Sequence, residues 1–372
     1  MKIGVLRESD SNERRVALVP ETVERLVKAG HEVFIENSAG LAAGFPDQAY
    51  ENAGAQTVPP VEVSKSVDIF VHVQPPTVDE IKALKIGCLM VSMFNARNDA
   101  SNMSLLASAG VTAIAMELVP RIARAQRMDA LSSQASISGY KAALLAANAL
   151  GKYLPMMMTA AGTIPPAKIL VLGAGVAGLQ AIATARRLGA IVEAFDVRAA
   201  AGEQVESLGA KFIHPPKSED AEGSGGYARE QTEDEQHLQR VFIKEHLADV
   251  DALITTAAIP GKPAPILITT EMIDAMRPGS VVIDLAAESG GNVEGTTPGK
   301  IINMNGVSIH GPINVPSSMP FHSSQLYSRN VMALLDLIID KKDKTLNLNL
   351  EDEVIDATCI VHLGEVRHKF NS

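Results

Sequence analysis

An apolar run that ends in a Gly-x-Gly-x-x-Gly motif is the sequence feature that most constrains the fold. Residues 167–172 form the run, the glycines are Gly173, Gly175 and Gly178, and a helix-like pattern follows over residues 181–188. A strand that turns sharply into a helix gathers unpaired backbone N–H groups and the positive end of the helix dipole at one point. Glycines there let a pyrophosphate approach the backbone. The motif therefore predicts a dinucleotide site.

A second predicted strand ends in an acidic residue at the spacing that such a site requires. Residues 189–195 form this strand, and Asp196 lies 18 positions after Gly178. A carboxylate there accepts hydrogen bonds from both hydroxyls of an adenosine ribose and repels a 2′-phosphate. This arrangement favours NAD(H) over NADP(H), and the positive charge of Arg198 is the one nearby feature that weakens the preference. NAD(H) is the predicted nucleotide, and an ordinary glycine turn in a core is the weaker alternative.

Composition and charge exclude several classes of protein. The 372 residues suffice for two domains, and a low aromatic content of 4% favours an α/β architecture. A net charge of −10 without a basic cluster argues against nucleic acid as a partner. The two cysteines, Cys88 and Cys359, do not have metal-ligand spacing, and neither do the histidines His31, His72, His214 and His237. The sequence therefore predicts no metal site. The sequence also predicts no secretory signal and no membrane-spanning helix.

Alternating strand and helix patterns predict two Rossmann-like domains, with parallel sheets flanked by helices and a cleft between the domains. Residues 1–132 and 318–372 are predicted to form a discontinuous N-terminal domain, and residues 133–317 the nucleotide-binding domain. An alanine-rich helix over 132–147 connects them, and an amphipathic helix over 324–340 returns to the first domain. Apolar Leu334, Leu335, Leu337 and Ile338 are its candidates for burial.

Two further segments carry local predictions. A charged, glycine-rich stretch within residues 217–240 predicts a mobile loop whose Gly226 and Tyr227 close over a ligand, with a plain surface loop as the alternative. Three consecutive methionines, residues 156–158, are predicted to fill gaps in the core rather than to bind a ligand.

Several motifs together resemble a known family. The segment 121–134, with its sequence Arg-Ile-Ala-Arg-Ala-Gln-Arg-Met-Asp-Ala-Leu-Ser-Ser-Gln, is similar to the nicotinamide-contacting loop of proton-translocating NAD(P) transhydrogenases. Further similar segments are 155–167, 195–198, 225–228, 255–265 and 283–292. The resemblance runs along the whole chain and is to the NAD(H)-binding alpha component. Because no membrane helix follows, it is to the split form, whose membrane components lie on other chains.

The resemblance implies an activity and a set of partners. NADH held by this component passes hydride directly to NADP⁺ on a separate NADP-binding beta subunit, coupled to proton movement through the membrane. It implies a small membrane-spanning subunit, a homodimer of this chain, and a place at the cytoplasmic face of the inner membrane through the partner subunits. Hydride transfer between two nicotinamide rings needs no acid or base from the protein, since no O–H or N–H proton moves.

The resemblance also implies a role for individual residues. Those expected to position the dihydronicotinamide and its ribose, and so to serve catalysis, are Arg121, Gln126, Asp129 and Ser132; an Arg121–Asp129 ion pair is the structural alternative. Their neighbours expected at the cofactor are Ile122, Ala123, Arg124 and Met128. Residues expected at the pyrophosphate and the adenosine ribose are Gly173, Gly175, Val176, Gly178, Asp196, Val197 and Arg198. Further contacts are expected from Gly226, Tyr227, Gln239 and Ala258.

Alanine dehydrogenases share this pattern and are the main alternative. They need an arginine for the substrate carboxylate and a protein group for proton transfer. The chain keeps Arg15, but His72 stands where a lysine is expected, residues 89–95 contain no histidine, and Glu288 stands where an aspartate is expected. These departures argue against that activity. A non-catalytic NAD-sensing subunit is a third alternative and predicts nucleotide binding without turnover.

Overall fold

The computed structural model describes residues 1–214, 231–259 and 261–368, which fold into two compact units. One unit comprises Met1–Gln134 and the chain from Pro316 onward, and the other comprises Ala135–Val315. Among the described residues, no helix has both the length and the apolar character needed to cross a membrane.

The described strands and helices follow one another along the chain as follows. The strands are β1 (Lys2–Val5), β2 (Glu32–Glu36), β3 (Gln56–Val58), β4 (Ile69–Val71), β5 (Leu89–Ser92), β6 (Thr112–Ala115), β7 (Met157–Thr159), β8 (Gly162–Ile164), β9 (Lys168–Leu172), β10 (Ile191–Phe195), β11 (Lys211–Phe212), β12 (Ala252–Thr255), β13 (Val281–Asp284), β14 (Ile301–Met304), β15 (Val307–His310), β16 (Cys359–His362) and β17 (Glu365–Val366). The α-helices are α1 (Pro20–Lys28), α2 (Asp47–Asn52), α3 (Pro60–Ser66), α4 (Val78–Ala83), α5 (Ala100–Ser108), α6 (Ala130–Ala149), α7 (Val176–Arg187), α8 (Ala201–Ser207), α9 (Glu233–Leu247), α10 (Thr270–Ile273), α11 (Pro320–Ile338) and α12 (Glu353–Thr358). A 3-10 helix, Ala123–Met128, precedes α6.

The first unit is built on an eight-stranded sheet in the order β17-β16-β6-β5-β4-β1-β2-β3. Strands β1 to β6 are parallel, and β16 and β17 add an antiparallel hairpin at one edge. Every residue of β4, β5 and β6 is buried, as expected of parallel strands covered on both faces. Helix α11 packs on this sheet with Leu334, Leu335 and Ile338 buried, while Leu337 is only partly buried. The short helix α12 was not predicted.

The second unit contains a seven-stranded sheet in the order β11-β10-β9-β12-β13-β15-β14. Among the strands described for this sheet, only β14 is antiparallel to its neighbour. From β9 the chain first adds strands on one side and then on the other, so β9 and β12 flank the switch point of a doubly wound sheet. Together with the first sheet, this confirms the prediction of an α/β fold with Rossmann-like, parallel-dominated sheets.

A separate two-stranded hairpin, β7–β8, contradicts the prediction that the three methionines fill a core. Met156 is 58% exposed and Met158 is 77% exposed. The prediction was wrong because apolar character alone does not say which face of a hairpin is covered. Here all three residues of β8 are exposed, and so are two of the three in β7.

Candidate functional site

The three glycines of the turn after β9 have different structural duties. Gly173 has φ +95°, a left-handed conformation suited to glycine. A Cβ on Gly178 would lie 1.8 Å from the carbonyl oxygen of Gly173, so only glycine lets α7 approach the turn. A Cβ on Gly175 would meet nothing within 4 Å, and this residue is exposed. The first and third glycines thus serve the fold, and the second leaves open backbone for a ligand.

Helix α7 begins at this open backbone. Gly175 is its N-cap and carries no side chain that would occupy the first N–H groups, and Val176, 39% exposed, is its first residue. The helix has 12 residues, so its dipole and its free N–H groups favour an anion at this end. Thr256, after β12, donates a hydrogen bond of 3.1 Å from its hydroxyl to the Gly173 carbonyl and supports the turn from the neighbouring strand.

The Asp196 carboxylate is bonded to the glycine turn. It accepts a hydrogen bond of 2.7 Å from the backbone N–H of Ala174 and is only 7% exposed. The Arg198 guanidinium donates from Nε to Oδ1 and from Nη2 to Oδ2, each at 2.8 Å, and the Arg198 backbone N–H also donates. A carboxylate accepts about four hydrogen bonds. A ribose hydroxyl therefore has to share Asp196 with Arg198 or displace its guanidinium. Val197 packs partly buried beside the core.

Two buried polar residues hold the loop after β12; they lie in the similar segment 283–292, but sequence patterns did not single them out individually. Asn292 is fully buried; its Nδ2 donates to the carbonyls of Ala257 and Pro265, and its Oδ1 accepts from the Ala257 N–H. Asp284, also fully buried, accepts from the Asn292 N–H and from the Thr255 hydroxyl. These residues follow or end parallel strands, and that position was the available signal. They hold the backbone beside Ala258, which is itself exposed.

Of the remaining predicted cofactor contacts in this unit, the structure describes only Gln239. Gly226 and Tyr227, with most of the predicted loop, lie outside the described residues. From Glu233 onward the chain is helix α9, because Thr232 and Glu235 form a capping box. Gln239 lies on this helix and is 8% exposed.

The segment 121–132 lies in the other unit and presents side chains rather than backbone. Ala125 and Met128 are buried in the core of that unit, and Ile122 packs partly against it. Arg121, Ala123, Arg124 and Gln126 are exposed. The buried residues hold the loop in place, so Met128 packs in the core while the Gln126 side chain is exposed.

Asp129 and Ser132 are joined to each other at the start of α6. The Asp129 carboxylate accepts from the Ser132 backbone N–H at 2.8 Å and from its hydroxyl at 2.6 Å. This is helix capping, a structural role different from the ion pair with Arg121 considered above. The pair holds two predicted nicotinamide contacts in one fixed arrangement.

Arg124 has a partner far along the chain. Its guanidinium makes a bidentate ion pair with Asp352, at 2.9 and 3.0 Å, and Asp352 also caps α12 by accepting from the Val354 N–H. The hydrogen bond from Arg124 lowers the pKa of Asp352 below its usual value. Arg124 therefore anchors the segment 121–132 to α12, whatever else it contacts.

A buried group of ionisable residues lies in the first unit, where alanine dehydrogenases are expected to bind substrate. Arg15 is 3% exposed, and its guanidinium bonds both oxygens of Glu13, at 2.8 and 2.6 Å, and the Gln134 Oε1 at 2.9 Å. The Glu13 carboxylate neutralises the charge of Arg15, and together with Gln134 it accepts hydrogen bonds from the guanidinium. The expected carboxylate-binding group is thus already paired within the chain.

His72 and Glu8 form the other half of this buried group. The His72 Nδ1 lies 3.3 Å from a Glu8 oxygen, and Glu8 accepts from the N–H groups of Val73 and Gln74. Burial raises the pKa of Glu8 to about 6. Burial alone lowers the pKa of His72, but the Glu8 and Glu80 carboxylates outweigh it and raise it above its usual value. Glu288, in the second unit, accepts from the Asn314 N–H.

Comparison with known proteins identifies the family. Residues 4–138 match the model "Alanine dehydrogenase/PNT, N-terminal domain" and residues 142–369 match "Alanine dehydrogenase/PNT, C-terminal domain". The chain belongs to this family. It is 46% identical over 376 residues to a Rhodospirillum rubrum chain named as the initial portion of the NAD(P) transhydrogenase subunit alpha, covering 99% of this chain and 98% of that protein.

Within the family, the chain is more similar to the transhydrogenases than to the alanine dehydrogenases. The crystal structure of the transhydrogenase from Sinorhizobium meliloti matches it with a TM-score of 0.87 and 44% identity, over 99% of each chain. The alanine dehydrogenase of Bacillus subtilis is 30% identical over 328 residues, which are 86% of this chain and 81% of that enzyme. The resemblance predicted from the motifs is confirmed.

Proposed function

We propose that this chain is the NAD(H)-binding alpha subunit of a proton-translocating NAD(P) transhydrogenase. It binds NADH and presents it for direct hydride transfer to NADP⁺ on a partner subunit. The observation that carries the proposal is the turn from Gly173 to Gly178 with Asp196 bonded to it, in a chain 46% identical to a transhydrogenase alpha subunit.

The residues of the second unit fit a dinucleotide. The open backbone at Gly175 and the N-terminus of α7 receive the pyrophosphate, with Val176 beside it. Asp196, Val197 and Arg198 receive the adenosine ribose, and contacts are proposed from Gly226, Tyr227, Gln239 and Ala258. Residues 133–317 are the proposed nucleotide-binding domain, and residues 1–132 with 318–372 the other.

The segment 121–132 is proposed to hold the dihydronicotinamide. When bound, the nucleotide supplies the hydride. The protein needs no proton-transfer group, so its task is to orient the ring and exclude water. Gln126 is exposed and offers both a donor and an acceptor for a carboxamide. Arg121, Asp129 and Ser132 add charged and hydroxyl groups, with Ile122, Ala123, Arg124 and Met128 as neighbours.

The proposal includes partners and a location. The relative in Rhodospirillum rubrum is named as a portion of a subunit, which supports an assembly of several chains. We propose an NADP-binding beta subunit, a small membrane-spanning subunit and a second copy of this chain as partners. The assembly couples hydride transfer to proton translocation and holds this chain at the cytoplasmic face of the inner membrane.

Reconstitution tests the proposed function. The purified chain is mixed with membranes that carry the other subunits but lack this one, and reduction of an NADP⁺ analogue by NADH is followed by absorbance. We expect turnover only when the chain is added. Oxidation of alanine by the isolated chain, without transfer in the mixture, would overturn the proposal in favour of an amino-acid dehydrogenase. NADH binding without either turnover would overturn it in favour of a sensing subunit.

A further inference from the structure

A single buried amide on α11 is bonded to both ends of the stretch that contains Asp129 and Ser132. Asn330 is 7% exposed; its Nδ2 donates to the Arg127 carbonyl at 2.8 Å, and its Oδ1 accepts from the Ser133 hydroxyl at 2.7 Å. The Ser133 hydroxyl also lies 3.0 Å from the Ala130 carbonyl. An amide supplies a donor and an acceptor in one rigid group, which a carboxylate or a hydrocarbon of the same size does not.

The two bonds of Asn330 bracket residues 128–132. The Arg127 carbonyl directly follows Gln126 in the chain, and Ser133 directly follows Ser132. Gln126 itself is exposed, so its direction depends on the backbone that carries it. A displacement of about 1 Å in a group that positions a reactant is enough to slow a reaction by about 100-fold.

Hydrogen bonds connect Asn330 to the buried ionisable group of Arg15 and Glu13. The Ser133 hydroxyl accepts from the Gln134 Nε2 at 3.2 Å, and the Gln134 Oε1 accepts from Arg15 at 2.9 Å. Arg15 is in turn bonded to Glu13. A buried network in which each polar side chain has its hydrogen-bond partners is rigid and resists local rearrangement. The segment 121–132 is therefore attached to a stiff region of the unit at this point.

We propose that Asn330 is a positioning residue for hydride transfer. It does not touch the cofactor; it sets the directions of Gln126 and of the Asp129–Ser132 pair toward the dihydronicotinamide. This role rests on the proposed function of the segment 121–132.

The test is Asn330→Asp, which keeps the size of the side chain and the acceptor for Ser133. It replaces the donor with an oxygen that faces the Arg127 carbonyl, and so releases one end of the bracket. We expect the affinity for NADH to fall about 10-fold, while the affinity for ADP-ribose, which lacks nicotinamide, stays unchanged. In the reconstituted enzyme, the rate at saturating NADH should fall by roughly 10-fold or more.

Ser328→Ala is the matched control on the same helix. The Ser328 hydroxyl is buried, accepts from the Val19 N–H at 3.1 Å and donates to Thr22 at 2.8 Å. Its loss removes two buried hydrogen bonds away from residues 121–132. We expect a lower Tm with unchanged affinities and an unchanged rate. Should Asn330→Asp fail to fold, Ser133→Ala removes the other bond of the bracket and should show the same NADH-selective loss to a smaller degree.

The outcomes separate the two proposals. Equal effects of Asn330→Asp and Ser328→Ala, or a loss of ADP-ribose affinity equal to that for NADH, would overturn the positioning role alone. Failure of the wild-type chain to bind NADH or to support transfer would overturn the proposed function, and the positioning role with it.

Discussion

The turn from Gly173 to Gly178 and the segment 121–132 are proposed to serve the same nucleotide by different physical means. In the turn, the proposed recognition is by backbone N–H groups, and the shape of the turn depends on glycines whose spacing is visible in six consecutive residues. In the segment, the proposed recognition is by exposed side chains. Their directions depend on distant residues such as Asn330 and Asp352.

This difference predicts how each region responds to change. A substitution in the turn acts directly on the backbone that carries the site, so its effect on binding and folding is large. A substitution near the segment acts through orientation, so it should reduce hydride transfer and nicotinamide affinity while sparing the adenosine end. Four predictions test this contrast.

The largest effect is expected from Gly178→Ala. The added Cβ would lie 1.8 Å from the Gly173 carbonyl oxygen, so α7 or the turn has to move. We expect unfolding free energy to fall by roughly 3 kcal/mol or more, and affinity for NADH and ADP-ribose to fall together by about 100-fold. Thermal denaturation and titration calorimetry measure both. Gly175→Ala is the control: its Cβ meets no protein atom within 4 Å, so stability should hold while both affinities drop.

Gln126→Ala should come next and should behave in the opposite way. The side chain is exposed, so its removal costs little stability. We expect hydride transfer in the reconstituted enzyme to slow by about 10- to 100-fold, because the carboxamide loses an orienting partner. ADP-ribose affinity should stay at the wild-type value. A parallel loss of ADP-ribose affinity would contradict the division of labour between the two regions.

Glu8→Gln tests the buried group behind the segment through the pH dependence of stability. Burial raises the pKa of Glu8 from 4.5 to about 6, so the folded state holds a proton that the unfolded state releases. Protonated Glu8 therefore contributes about 2 kcal/mol to the free energy of unfolding. This contribution is fully present below pH 4.5 and is lost as the pH rises through about 6. The variant should lack this decline. Chemical denaturation measures the free energy of unfolding of both proteins between pH 4.5 and 7. If the two proteins showed the same pH dependence, the raised pKa of Glu8 would not be its cause.

The smallest effect is expected from Asp352→Asn. Asparagine still caps α12, but the ion pair to Arg124 is lost. Because Arg124 is 47% exposed there, the Tm should fall by only a few degrees. The lowered pKa of Asp352 means that the ion pair stabilises the fold above pH 3.8 and less so as pH falls below it. The difference from wild type should therefore shrink in acid, which thermal scans at several pH values will show.

By itself, the sequence determined the glycine turn between β9 and α7 and the α/β class, because glycine spacing and strand–helix alternation are local and have few structural solutions. It also carried the family, through motifs spread along the chain. Tertiary structure decided the partners of individual side chains: Arg124 with Asp352, and Asn330 between Arg127 and Ser133. It likewise decided that Met158 is exposed. Such pairings join residues up to 228 positions apart, and no local pattern encodes them, because they arise only when α11 and α12 have packed on the rest of the unit.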